Sequence, residues 1–130
     1  MSEHNRGIYE EVKTAEKNSL LESISLNLGG HVVLALQDPD VIEIILNPDG
    51  KLWIERFGRP MELAGYITRY QADLALSFIA SALKTYATPE TPIIEGELPL
   101  DGSRFEGLMP PIVAAPSFAI RKKASKRCRS

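Results

Sequence analysis

The sequence has little cysteine, little histidine and no long apolar run. Cys128 is the single cysteine among 130 residues, so no disulfide can form within the chain. His4 and His31 lie far apart with no cysteine or acidic motif beside them, so we expect no metal site. No apolar run approaches the ~20 residues of a membrane-spanning helix, and the N-terminus lacks the basic-then-apolar order of a signal peptide. These absences favour a cytoplasmic location.

Motifs that bind phosphate or carry a nucleophile are also missing. The chain contains no Gly-x-x-x-x-Gly-Lys-Ser/Thr loop, no Gly-x-Gly-x-x-Gly and no Gly-x-Ser-x-Gly. Those loops supply the backbone amides that cradle phosphate groups, or they present a reactive serine. The sequence therefore has no recognisable phosphate cradle or nucleophile elbow of its own.

Basic residues are concentrated at the C-terminus. The net charge is −2, but residues 121–130 hold six basic residues and no acidic one. Residues 1–120 are left with nine basic and 17 acidic residues, a net charge of −8. Because phosphate contacts with nucleic acid need clustered lysine and arginine, we do not expect the acidic body to bind DNA directly.

The middle of the chain carries clear secondary-structure signals. A hydrophobic content of 44% with 25% charged residues is typical of one globular domain. Apolar residues at helical spacing predict one helix over residues 19–36, weakened at Gly29-Gly30. Asn47-Pro48-Asp49-Gly50 predicts a tight turn between two strands. Thr68, with Gln71 three residues later, matches a capping box and predicts the start of a second helix.

The second half returns to strands. Residues 61–65 predict a short strand, and 93–94, 104–109 and 117–121 predict three more, with prolines at their ends. Two helices and several antiparallel strands predict an α+β fold, in which an antiparallel sheet carries helices packed on one face. We divide the chain into a flexible leader (1–18), a domain (19–121) and a basic tail or truncated linker (122–130).

Two arginines end short apolar runs in this second half. Arg104 and Arg121 are separated by prolines and small residues, and pattern alone favours ordinary surface side chains. Glu95, Glu97 and Asp101 stand close together and are a conceivable acid/base pair or cation site. Exposed acidic loops are much commoner than catalytic ones, which favours the simpler interpretation.

A family resemblance covers most of the chain, from about Leu28 to Ser125. It is carried by three stretches: LQDPDVIEIILNPDGKLWIER, then GELPLDGSRFEGLMPP, then SFAIRK. Together they resemble the N-terminal domain of conjugal transfer ATPases of the TrbB family, within the traffic ATPases of type II and type IV secretion. The resemblance implies the PAS-like N-terminal domain of these ATPases.

The resemblance also implies a function for the two arginines. It implies a hexameric ATPase, cytoplasmic and peripheral to the inner membrane, that powers conjugative DNA transfer with ATP and Mg²⁺ and contacts inner-membrane secretion components. In that family nucleotide lies between this domain and a second domain that carries the Walker A loop. The family's Gly-Ser-Arg and Phe-x-Ile-Arg arginines fall on Arg104 and Arg121, which resemble residues that reach the nucleotide phosphates. Guanidinium suits this task because it is always charged and donates two parallel hydrogen bonds.

The chain departs from the family after the Ile-Arg-Lys segment. The family continues through a linker into the Walker domain, whereas this chain ends with residues 122–130. We therefore expect a fragment, without Walker A and B, that neither binds nor hydrolyses ATP alone. The alternative is a free-standing interaction module whose basic tail binds a secretion partner, an anionic membrane or DNA.

Overall fold

The computed structural model describes residues 3–86 and 88–123. Within them the chain forms three helices and six strands. The helices are α1 (Glu3–Leu28), α2 (Gly30–Gln37) and α3 (Arg69–Ala82). The strands are β1 (Val41–Leu46), β2 (Lys51–Arg56), β3 (Glu62–Tyr66), β4 (Ile93–Glu97), β5 (Arg104–Leu108) and β6 (Ser117–Arg121).

The six strands form one antiparallel sheet in the order β3-β2-β1-β6-β5-β4. The predicted turn joins β1 to β2, where the Gly50 amide donates to the Asn47 carbonyl at 2.9 Å and Gly50 has φ 88°. β6, the last strand, is inserted between β1 and β5. The last strand therefore joins the β3-β2-β1 half of the sheet to the β5-β4 half.

One face of the sheet carries the hydrophobic core. Ile44 and Phe105 both pair with Ile120, and all three side chains are completely buried. Ile24 of α1 and Leu76 of α3 are buried with them. Burying one such side chain contributes about 1.5–3 kcal/mol. The predicted α+β fold with helices on one sheet face is confirmed. None of the three described helices packs on the opposite face, which we call the outer face.

The first predicted helix is wrong in one respect, because it is two helices. α1 and α2 meet at 108°, and Gly29 between them has φ 90° and ψ 166°. This backbone conformation is essentially restricted to glycine, so the chain turns there instead of continuing. The bend lets Leu28 and Val32 on either side of it both reach the core.

The second predicted helix begins where the capping box places it. The Gln71 amide donates to Thr68 Oγ1 at 3.1 Å, and the hydroxyl donates in turn to Gln71 Oε1 at 3.2 Å. The helix ends at Ala82. Tyr86 lies beyond the helix and is 82% exposed.

The segment predicted as a leader, 1–18, is helical from Glu3 onward. All side chains from Gly7 to Ser19 are exposed, and the helix first packs against the core at the partly buried Leu20. No single helix among the described residues is long and apolar enough to cross a membrane; α1 and α2 pass that test only as a bent pair. The division at residue 18 remains a prediction.

Candidate functional site

Arg104 and Arg121 face each other across the pair of strands β5 and β6. Arg104 is the first residue of β5, Arg121 is the last residue of β6, and the two are direct cross-strand partners. Their neighbours Phe105 and Ile120 are completely buried on the helix side. Because strand side chains alternate between faces, both arginines lie on the outer face.

This arrangement brings two positive charges together. Directly opposite residues in an antiparallel pair have β-carbons roughly 4.5–5.5 Å apart, and like charges at that separation destabilise the sheet. Both arginines are exposed, and the Arg121 side chain retains 70% of its accessible surface. A bound anion between the guanidinium groups would relieve their repulsion.

Glutamates flank the arginine pair on both sides. Glu97 of β4 pairs with Arg104, and Glu43 of β1 pairs with Arg121. Glu43 Oε2 lies 3.5 Å from Arg121 Nη2. Among the side chains that the structure describes, no carboxylate forms an ion pair with Arg104. Arg104 is therefore the more available of the two cations.

A second pair of charged residues joins β5 to β4, two residues along β5 from Arg104. Glu95 of β4 and Glu106 of β5 are direct partners. The hydrogen bond between their side chains raises the pKa of Glu106, helped by partial desolvation and by the charge of Glu95, while Arg104 acts in the opposite direction. The outer face thus places a close pair of carboxyl groups beside Arg104.

The three carboxylates considered as an acid/base or cation site do not converge. Glu95 and Glu97 are exposed on β4. Asp101 instead stabilises the turn before β5, since its carboxylate accepts from the Ser103 amide at 2.9 Å and the Ser103 hydroxyl at 2.7 Å. Among the described residues no group of three or more His, Cys, Asp and Glu side chains is arranged to hold a metal ion.

The residue after β6 is tied to the domain. The Lys122 amide donates to the Ile42 carbonyl at 2.9 Å, and Lys122 Nζ donates to the Asp38 carbonyl at 2.5 Å. Because Asp38 caps the C-terminal end of α2, the lysine charge lies where the helix dipole is negative. Only 122 and 123 of the predicted tail fall within the described part; 124–130 lie outside it.

A cavity of about 590 Å³ lies at the other end of β5 and β6. Its walls include Met109, which follows β5, and Pro116, which precedes β6, together with Arg69 and Tyr70 of α3. Arg104 and Arg121 stand at the opposite ends of the same two strands. The cavity is therefore separate from the arginine pair.

Sequence reasoning missed Glu43 and Glu106 as neighbours of the arginines. A usable signal existed for Glu43, which is the single charged residue in the strand Val-Ile-Glu-Ile-Ile-Leu. A charge in an aliphatic strand indicates an outward position with a partner. Its partner was not predictable, because Arg121 is 78 positions further along the chain and meets it only through the β1–β6 pairing.

No protein-family model matches the chain. The architecture is shared with the crystal structure of the VirB11 ATPase from the Brucella suis type IV secretion system, solved in complex with sulphate. The TM-score is 0.73 at 20% sequence identity, over 87% of this chain and 34% of that chain. The fold is thus that of a part of a type IV secretion ATPase.

Sequence similarity then identifies closer relatives. The chain is 48% identical over 107 residues to the conjugal transfer protein TrbB of Rhizobium radiobacter, and equally to a probable TrbB of Sinorhizobium fredii. These matches cover 82% of this chain and 33% of each relative. The resemblance drawn from the residues is confirmed: the chain is homologous to TrbB conjugal transfer proteins and spans about a third of their length.

Proposed function

We propose that this chain is the N-terminal oligomerisation and nucleotide-closing domain of a hexameric ATPase that energises conjugative DNA transfer through a type IV secretion system. Its 48% sequence identity to TrbB and its fold support the conjugation part of the proposal. The observation that carries the nucleotide-closing part is the direct pairing of Arg104 with Arg121 on the exposed outer face.

The paired arginines suit a phosphate group. Each guanidinium stays charged at all relevant pH values and presents a planar set of N–H donors that matches phosphate oxygens. Two of them on neighbouring strands extend from β-carbons about 5 Å apart, so that one polyphosphate can contact both guanidinium groups. When bound, ATP with Mg²⁺ supplies the phosphoryl-transfer chemistry. The role of Arg104 and Arg121 is to bind its phosphates from the domain opposite the Walker loop.

The proposal includes partners and a location. The domain assembles with further copies of itself into a ring, and the full-length ATPase works in the cytoplasm, in peripheral contact with inner-membrane secretion components. The acidic net charge of −8 for residues 1–120 is compatible with nucleotide and protein partners and disfavours direct DNA binding by this domain.

Arginine substitution in a full-length ATPase tests the nucleotide-closing role. We expect Arg104→Ala or Arg121→Ala, in a TrbB chimera that carries this chain in place of the matching third, to lower the ATPase rate about tenfold, as loss of a charge-assisted hydrogen bond does. Arg59→Ala, which removes an exposed arginine in the turn after β2, is the matched control. If both arginine variants turn over ATP at the wild-type rate with an unchanged circular dichroism spectrum, the nucleotide-closing role is wrong.

Light scattering tests the oligomerisation role. The mass of the 130-residue chain and of the chimera is measured with and without a non-hydrolysable ATP analogue. We expect the chimera to form hexamers. A chimera that remains monomeric with the analogue contradicts the ring. The alternative of a tail-borne interaction module rests on residues 122–130, and deleting them tests it by loss of binding to anionic vesicles or DNA at low salt.

A further inference from the structure

Glu43 is the fixed member of its ion pair with Arg121. The Glu43 side chain retains 18% of its accessible surface, compared with 70% for Arg121. Glu43 lies between β2 and β6 in the middle of the sheet, where cross-strand neighbours limit its movement. The longer, exposed arginine is therefore oriented by the carboxylate, and not the reverse.

The contact uses only part of the guanidinium. Nη2 is the nitrogen that faces Glu43, at 3.5 Å from Oε2. A guanidinium carries five N–H donors in a planar fork, so Nε and Nη1 remain for another acceptor. Without Glu43, repulsion between Arg121 and Arg104 and the freedom of an exposed side chain would leave the orientation undefined.

We propose that Glu43 is a positioning residue that holds the Arg121 guanidinium so that its remaining donors meet a phosphate group shared with Arg104. This inference rests on the proposed phosphate role of the arginine pair. In this arrangement the negatively charged Glu43 carboxylate lies beside an anion site. Charge alone would make that glutamate unfavourable for binding, because like charges a few ångströms apart repel. Positioning and charge therefore predict opposite effects when Glu43 is removed.

Titration with inorganic tripolyphosphate separates these effects in the 130-residue chain at low salt, where exposed charges are least screened and even the weak binding expected without the Walker domain can be measured. We expect Glu43→Ala to weaken binding about fivefold, because the guanidinium must be ordered on binding. Glu43→Gln, which keeps an oxygen acceptor without the charge, should restore affinity to within about twofold of wild type. Glu55→Ala is the matched control, since Glu55 pairs with Glu43 on the far side from Arg121. We expect it to bind at least as tightly as wild type.

Nuclear magnetic relaxation of the Arg121 Nε–H group, without ligand, supplies an independent readout. The group should be more ordered in wild type and Glu43→Gln than in Glu43→Ala, with thermal stability unchanged. Tripolyphosphate binding by Glu43→Ala as tight as wild type, or equal order of Arg121 in all three proteins, overturns the inference.

Arg104→Ala distinguishes this failure from failure of the proposed function. If Arg104→Ala binds tripolyphosphate as tightly as wild type, the phosphate role is wrong and the positioning role falls with it. If Arg104→Ala loses binding while Glu43→Ala keeps it, only the positioning role is wrong.

Discussion

The side chain of Leu76 in α3 occupies the space that a β-carbon on Gly107 of β5 would need. A β-carbon built there lies 2.2 Å from Leu76 Cδ2 and 3.0 Å from Phe105 Cε2. Leu76 and Phe105 are both completely buried, so neither has room to move away. We expect Gly107→Ala to lower the free energy of unfolding by about 1–3 kcal/mol, the usual cost of overpacking a core. Urea denaturation measures this change.

The Leu76→Ala background provides the control for that prediction. Truncating Leu76 removes the atom nearest to the new methyl group, so Gly107→Ala should cost much less there than in wild type. Equal costs in the two backgrounds would show that the two residues are not coupled, and that α3 does not pack on β5 through this contact.

Gly29 should resist substitution because of its backbone. Its φ of 90° and ψ of 166° fall in a region open essentially to glycine alone, although nothing crowds the position of a β-carbon. We expect Gly29→Ala to lower the free energy of unfolding by about 1–3 kcal/mol. Gly30→Ala is the control, since Gly30 is helical with open space around it and should be neutral or stabilising. A neutral Gly29→Ala would contradict the sharp bend between α1 and α2.

Asp38 should make stability depend on acid pH. Its pKa is lowered from the ordinary 3.8, first because its carboxylate accepts a hydrogen bond from the Asp40 amide, and then because of Arg56 and Lys122. A lowered native pKa gives stability that is present above the unfolded-state pKa and is lost as the pH falls through the native one. The stability difference between wild type and Asp38→Asn should therefore shrink below about pH 4. Urea titrations from pH 6 to pH 2 measure it, with Asp73→Asn as a reference, and a constant difference would contradict the assignment.

Glu106 should make stability depend on pH in the opposite direction from Asp38. Its pKa is raised from the ordinary 4.5, mainly by the hydrogen bond with Glu95. A raised native pKa gives stability that is present below the unfolded-state pKa and is lost as the pH rises through the native one. Glu106→Gln should therefore increase the free energy of unfolding at pH 7 by about 0.5 kcal/mol, the scale of a cross-strand pair, and by less at pH 4. Glu97→Gln removes a carboxylate at the strand position opposite Arg104 and should show no such gain; an equal gain would point to net charge instead.

Local signals predicted the hairpin and the start of α3 well. Asn47 and Gly50 form their turn, and Thr68 caps its helix, because each depends on hydrogen bonds between residues three positions apart. Such contacts involve little chain entropy and are encoded where they occur. The break at Gly29 was less predictable, since glycine pairs permit a bend without requiring one.

The two arginines of the candidate site were predictable from the sequence, but their geometry and their glutamate neighbours were not. Arg104 and Arg121 were selected through a family resemblance, whereas pattern alone classed them as ordinary surface residues. Their direct pairing follows from the β5–β6 register, which the buried faces of Phe105 and Phe118 specify through non-local packing. A shift of one residue would turn an arginine toward the core.

The sequence by itself determined the α+β class, the turn at 47–50, the cap at Thr68 and the relationship to conjugal transfer proteins. These follow from short-range periodicity, turn chemistry and shared motifs. Only the tertiary structure decided that β6 inserts beside β1, so that Glu43 meets Arg121 and Arg121 meets Arg104. The reason is physical: strand order and register are selected by burying one face of the whole sheet against α1 and α3, a property of no single segment.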